Sequence, residues 1–268
     1  MRDAGAARSP SITRAFGLSV HRNKVSVGIA HMLQACLNGG RDKRFHAATP
    51  LTPSELARDA RAVVEAGAQE LHIHPRGANG RESLHPDDTA QALEAIRLAV
   101  PGVAIGLSTG WWIAPQGRAR QAHIQAWRVL PDYVSVNLGE EDGLEVIDLV
   151  LDKGIDVEAG LASVRDAERF VDHPRSRHCL RVLIEIDEKE LSAGREVVRE
   201  IRHILDAAAI RLPRLLHGYD ETMWAFYLDA MRLRLGARIG LEDGKFLPSG
   251  TEASDNAALI RAARALTE

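Results

Sequence analysis

The chain has 268 residues, a net charge of −3, 45% hydrophobic residues and two cysteines that form no CxxC pair. This suits one large domain in a reducing, cytoplasmic setting, since barrels of roughly 250 residues fold as a unit and disulfide frameworks need more cysteine. Mixed charge and only 4% aromatics exclude a nucleic-acid face, and no apolar run reaches the roughly 20 residues of a membrane span.

Residues 1–24 carry Arg2, Arg8, Arg14, Arg22 and Lys24 against one acid, Asp3. A targeting segment or a solvated tail both fit that composition. Residues 1–31 are read as an N-terminal extension and 32–268 as a catalytic domain. Within the extension, the run Lys24–Ala30 suits an outer strand or a plug for the bottom of a barrel. From Met32 onward a short apolar run, a polar turn and a helical segment alternate. Strands are predicted at Met32–Leu37, Glu70–His74, Val103–Ser108, Tyr133–Asn137, Ile155–Glu158, Leu180–Ile186, Arg214–Gly218 and Ala237–Glu242. Several are Val-, Ile- and Leu-rich, as strands buried on both faces should be. The first helix begins at Thr52, with Pro53 in its first turn and Glu55 placed for a capping box, and it ends at Gly67. The second follows His85, with Asp87 and Asp88 at its positive end and Pro101 beyond it. Further helices are expected at Gln116–Val129, Leu144–Asp152, Ser163–Val171, Lys189–Ala208, Glu221–Leu235 and Ser254–Leu266. Strand–helix alternation calls for parallel strands with helical crossovers. The predicted fold is an α/β protein of the (β/α)8 TIM-barrel type. An open doubly wound sheet is the rival, weakened because no Gly-rich dinucleotide fingerprint follows the first strand.

The active site of such a barrel lies where the strands end, and polar residues gather there. Asn38 and Arg41 follow the first strand, and His72, His74 and Arg76 end the second. Ser108 and Thr109 end the third, Ser135 and Asn137 the fourth, and Glu158 the fifth. Glu185 and Asp187 end the sixth, His217 the seventh, and Arg238, Glu242 and Asp243 lie on and past the eighth. The sharpest signal is HIHPR: side chains two apart on a strand share a face, so His72 and His74 project together. Two imidazoles on one face suit a borderline divalent metal such as zinc. The plain alternative is two hydrogen-bonded histidines near a turn. A catalytic zinc takes three protein ligands and keeps one position open, and Glu242 is the leading third. Arg238 shares its face with Gly240 and Glu242, so Gly240 is expected to leave room for substrate, and Asp243 to turn back onto Arg238. That pair is either a structural ion pair or a device for orienting a carboxylate and tuning a base. His217 reads as a satisfied rim histidine, and Trp111 and Trp112 as packing at the mouth, one of them available to a pocket. The remaining histidines, His46 among them, read as surface or loop residues.

The segments LNGGR, TPSELARDARAVVEAGAQELHIHPR, STG, SVNLGE, VEAGL, LLHG and RIGLED occur in this order over residues 32–268. Together they resemble the β-keto acid cleavage enzymes. The resemblance implies a (β/α)8 barrel with zinc on His72, His74 and Glu242. It also implies condensation of a β-keto acid with acetyl-CoA, giving acetoacetate and a new acyl-CoA by a retro-Claisen route. It assigns proton removal to Arg238 and Asp243 and active-site roles to Glu158 and to Ser108, the serine of STG; from their place at the strand ends, Thr109, Asn38, Arg41, Ser135 and Asn137 join Ser108 as candidate substrate contacts. Acetyl-CoA binding rests on the resemblance alone, since no phosphate-binding motif is visible. A characterised member has an acid after the first strand where this chain has Asn38-Gly39-Gly40-Arg41, which points to a neutral or acidic keto acid. The fourth strand also departs, with SVN for a threonine-containing segment. A homo-oligomer is expected. The competing enzyme reading is a metal-dependent hydrolase, which the carboxylates ending the fifth and sixth strands argue against. The non-enzyme reading is a barrel that only binds metal or a small acid.

Overall fold

Eight short apolar segments pair side by side, each with its neighbours in sequence, and close on themselves in the computed structural model, which describes residues 32–267. The strands are β1 (Leu33–Cys36), β2 (Glu70–Ile73), β3 (Ala104–Ser108), β4 (Tyr133–Asn137), β5 (Asp156–Leu161), β6 (Arg181–Ile186), β7 (Arg214–Gly218) and β8 (Gly236–Ile239), all parallel. The helices between and after them are α1 (Pro53–Glu65), α2 (Pro86–Ala99), α3 (Arg120–Ala126), α4 (Gly143–Asp152), α5 (Val164–Asp172), α6 (Leu191–Ala207), α7 (Met223–Arg232) and α8 (Asn256–Ala265). The predicted barrel is therefore the observed fold. The N-terminal extension, with its apolar run Lys24–Ala30, lies outside the described residues.

Local chemistry accounts for the elements. Thr52 and Glu55 form the expected reciprocal capping box, which satisfies orphan N–H groups at the start of α1. Outward-facing strand residues such as Leu71, Ile73, Leu107, Val134, Val136 and Ile184 meet the apolar faces of the helices in one continuous core. The lumen is filled differently. Its bottom holds a small apolar plug of Met32, Leu183 and Leu215. The rest of the lumen holds charged and polar side chains, Gln34, Tyr133, Glu158, Arg181 and Arg238, all buried.

Most ends shift by a residue or two; three differences are larger or change the site, and two of these move functional residues. β5 continues to Leu161, because Gly160 stays in register with Asn137 and Leu161 with Ile184. Glu158 is thus a mid-strand lumen residue and not a strand end. β8 stops at Ile239, because Gly240 accepts from the N–H groups of Asp243 and Gly244 and starts a turn. Glu242 therefore comes from a turn, not a strand. The predicted Gln116–Val129 helix shrinks to one 3-10 turn and α3, since Trp127 leaves the helix and donates its indole N–H to the Leu84 carbonyl.

Candidate metal centre and active site

His72 ends the lumen face of β2, and His74 lies one residue past the strand. The chain stays extended there because Asn38 acts as a substitute strand partner. Its amide donates to the His74 carbonyl and accepts from the His74 N–H, both at 2.9 Å. Its second N–H donates to the Pro50 carbonyl. Asn38 is thus occupied by backbone, does not line the cavity, and positions His74 where a substrate contact was expected. Glu242 arrives from the turn after β8 and packs over Gly39. A Cβ on Gly39 would stand 2.4 Å from Glu242 Cγ, and its φ is +49°, so both space and backbone conformation require glycine.

The two imidazole Nε2 atoms stand 3.1 Å apart. Glu242 brings Oε2 to 3.7 Å from His72 Nε2 and Oε1 to 3.5 Å from His74 Nε2. Among the described residues this trio is the group able to hold a metal ion, with its donor atoms within 4.8 Å of one another. Ligand atoms on a tetrahedral zinc, with bonds of about 2.0–2.1 Å, stand roughly 3.3 Å apart, so the spacing fits. The outward nitrogens are also spoken for. His74 Nδ1 lies 2.5 Å from Glu82 Oε1. His72 Nδ1 lies 3.3 Å from Ser135 Oγ, which itself donates to Glu158 Oε1 at 2.8 Å. Each Nδ1 thus has an acceptor, which leaves the Nε2 atoms for a cation. Burial pushes His72 down to about 3. Burial opposes charge on His74 as well, but Glu242 and Glu82 outweigh it and hold this histidine up at about 9. Two imidazole nitrogens and one carboxylate within 4.8 Å are the donor set that a borderline divalent cation takes. Glu242 Oε2 makes no hydrogen bond among the described residues.

A cavity of about 360 Å³ opens beside this trio, lined by Gly40, Arg41, Ser108, Trp112, Ser135, Asn137, Glu185, Tyr219 and Arg238 as well as the three donors. Ser108, Ser135, Asn137, Arg41 and Arg238 are thus brought together as expected. Thr109 is not; it is fully buried, and its hydroxyl donates to the Ser135 carbonyl at 2.8 Å. Arg41 is already engaged, with Nη2 3.0 Å from Asp220 Oδ1. Gly240 serves the barrel and not the substrate: a Cβ there would stand 1.8 Å from the Cys36 carbonyl oxygen, so it lets β8 close on β1.

The expected Arg238–Asp243 ion pair is replaced by two others. Arg238 Nη2 lies 3.0 Å from Glu242 Oε1, and Nη1 lies 3.6 Å from Glu158 Oε1. Asp243 instead meets His217, Oδ1 to Nδ1 at 3.1 Å. The turn that begins at Gly240 carries Asp243 toward β7, beyond reach of the Arg238 fork. His217 is accordingly a buried partner of Asp243 and not a rim residue. Burial raises the Asp243 carboxyl despite His217 and Arg238. Glu158 is fully buried below the cavity; burial alone would raise it, but Arg181, Arg238 and His72 hold it down at about 2. Arg181 Nε sits 2.6 Å from it. His46, read as a surface or loop residue, does lie in the loop between β1 and α1 but is buried there, between the Ala48 N–H and the Ala253 carbonyl. Glu82 and Tyr219 went unnoticed in the sequence. Glu82 lies eight residues after His74 and returns to it through a turn in which Gly77 N–H bonds the Arg81 carbonyl. The Gly-Ala-Asn-Gly run marks that turn, but not the contact it creates.

A (β/α)8 barrel with a His–His–Glu centre at the carboxyl ends of its strands is the class that fold and site define. The chain belongs to the beta-keto acid cleavage enzyme family, whose model matches residues 31–179. Among curated relatives, it is 41% identical over 68 residues to the 3-oxoadipate:acetyl-CoA acetyltransferase of Cupriavidus necator, 25% of this chain and 24% of the relative. It is 30% identical over 97 residues to the 3-keto-5-aminohexanoate cleavage enzyme of Fusobacterium nucleatum, covering 36% and 35%. The matches thus span about a quarter to a third of these relatives. The fold is shared with ObcA in its apo form, at TM-score 0.65 and 16% identity over 82% of this chain and 61% of that one. A ternary complex of ObcA with a C4-CoA adduct and oxalate superposes at TM-score 0.65 and 16% identity, covering 82% and 63%.

Proposed function

We propose that the protein condenses a β-keto acid with acetyl-CoA and releases acetoacetate and a new acyl-CoA. The observation that carries this reading is the convergence of His72, His74 and Glu242 on one wall of a cavity also lined by Arg238, Ser108 and Ser135, in a chain of this family. The carbon between the ketone and carboxylate loses a proton and forms a bond to the acetyl carbonyl carbon. The acetyl–sulfur bond breaks and the freed CoA thiolate adds to the original ketone carbon; the bond from that carbon to the central carbon then breaks, giving the new acyl-CoA and acetoacetate, whose central carbon takes back the proton. Zinc held by the trio would supply Lewis acidity, which lowers the cost of negative charge on a ketone oxygen. Arg238 turns its guanidinium on the substrate carboxylate, and the Ser108 and Ser135 hydroxyls orient the reacting carbonyls. Asp243 takes and returns the proton; burial raises its carboxyl above the ordinary value. It does not line the cavity, so it must turn from His217 to reach the substrate. Glu158 fixes Ser135 and, through it, His72. The setting is a reducing cytoplasm, in keeping with two buried free cysteines, and among the described residues no helix is long and apolar enough to cross a membrane.

The test follows acetoacetate release from a panel of keto acids with and without acetyl-CoA, alongside metal analysis. Turnover should require acetyl-CoA and about one divalent ion per chain. His72→Ala and His74→Ala should each lose the metal. Unchanged metal content in both variants would sink the ligand assignment. Full-rate consumption of keto acid by water alone would make the protein a hydrolase.

A further inference from the structure

We propose that Glu82 is the positioning residue for the ligand His74, and that Trp112 ties this carboxylate to the wall of the substrate cavity. The inference rests on the reading of His72, His74 and Glu242 as metal ligands and extends it to two residues outside the trio. Glu82 Oε1 lies 2.5 Å from His74 Nδ1. The Trp112 indole N–H points at the same carboxylate, 3.2 Å from Oε1 and 3.1 Å from Oε2. Arg76 Nη1 approaches Oε2 at 3.8 Å. The Glu82 backbone is set as well: residues 76 and 82 form an antiparallel bridge, and residues 83 and 114 a parallel one, so the loops after β2 and β3 are stitched together here. The Glu82 side chain is 13% exposed and the His74 side chain 4%, so water competes weakly for this contact.

The physical consequence follows from geometry. A carboxylate that accepts from Nδ1 fixes the tautomer with Nε2 free, locks the ring plane and raises the basicity of the ligating nitrogen. Trp112 shares that acceptor while its ring lines the cavity and remains 48% exposed. A molecule that displaces the indole therefore changes the hydrogen bonding of the carboxylate that holds His74. Metal affinity and cavity occupancy are linked through three side chains, Trp112, Glu82 and His74.

The experiment measures zinc affinity of the full chain by competition with a chelator, with no substrate present. Glu82→Gln should weaken zinc binding by about 10- to 100-fold, while its melting temperature in excess chelator stays that of the wild type. Glu82→Asp, which keeps the charge but shortens the reach, should fall between the two. Trp112→Phe should weaken zinc by a few-fold, and this effect should vanish in the Glu82→Gln background. Zinc affinity of Glu82→Gln within twofold of wild type would overturn the role of Glu82. Additive effects in the double variant would overturn the Trp112 link. A wild-type chain that binds no zinc would instead overturn the metal reading itself.

Discussion

At the scale of single residues, the pairing around Arg238 decides what the mechanism can use. Arg238 faces Glu242 and Glu158, while Asp243 answers to His217. Arg238→Lys keeps a positive charge but loses the planar fork that reaches two carboxylates. It should keep fold and metal yet lower turnover by about 100-fold, and Asp243→Asn should do the same if it removes the base. Near-normal turnover of both, measured on metal-loaded protein, would make these contacts structural and turn the search for a base to Glu158. That glutamate carries a second expectation. Glu158→Gln leaves Arg181 and Arg238 facing a neutral group in a buried site, which should cost about 3–5 kcal/mol in a denaturant titration. That His72, His74 and Glu242 converge was legible, because residues two apart on a strand share a face and Glu242 follows the end of a barrel strand. Their partners were not, since the His217–Asp243 contact joins residues 26 apart, and only the turn after β8 brings them together.

At the scale of elements, alternation and capping foretold which segments would be strands and helices, while tertiary contacts set where they stop. β5 outruns its apolar run because both neighbours continue to pair with it. The contact between α1 and α8 yields a pH prediction. Asp59, on α1, accepts from Asn256 Nδ2 at 2.7 Å. Burial holds its carboxyl up at about 7, against an ordinary value of 3.8, even though Asn256 pulls it down. Between about pH 4 and 7 the folded chain keeps a proton that the unfolded chain sheds, so this group makes stability fall as pH rises through that window. Asp59→Asn should melt above the wild type at pH 8 and level with it at pH 4. Equal melting temperatures at both pH values would show that Asp59 ionises freely in the folded chain.

At the scale of the whole molecule, eight alternating units were enough to anticipate the barrel, because parallel strands need helical returns and eight of them close. What fills the barrel was harder to foresee. Strand-period reasoning shows that Glu158 and Arg181 face inward, but not that they meet at 2.6 Å. Met32 already belongs to the lumen plug, and its carbonyl accepts from the Ala237 N–H. A chain beginning at Met32 should therefore fold and bind metal as the full chain does, by thermal melting and metal analysis. Insolubility of that shorter chain would show that residues 1–31 are structural.

The charged lumen also governs how such a chain can reach its native state. Arg181 of β6 finds Glu70 of β2 and Glu158 of β5, while Arg238 of β8 finds the other side of Glu158. Glu158 meets both its guanidinium partners within the β5–β8 half, so the Arg181–Glu70 pair is the one of these that joins the two halves of the chain. A β1–β4 half-barrel would leave Glu70 without Arg181 at the open seam, an unmatched ion that costs up to several kcal/mol where water is excluded. Partly closed forms are penalised on the inside just as the helix layer rewards closure on the outside. Unfolding should accordingly part the Glu70–Arg181 seam and the helix layer in one cooperative event, seen as coincident transitions by two probes.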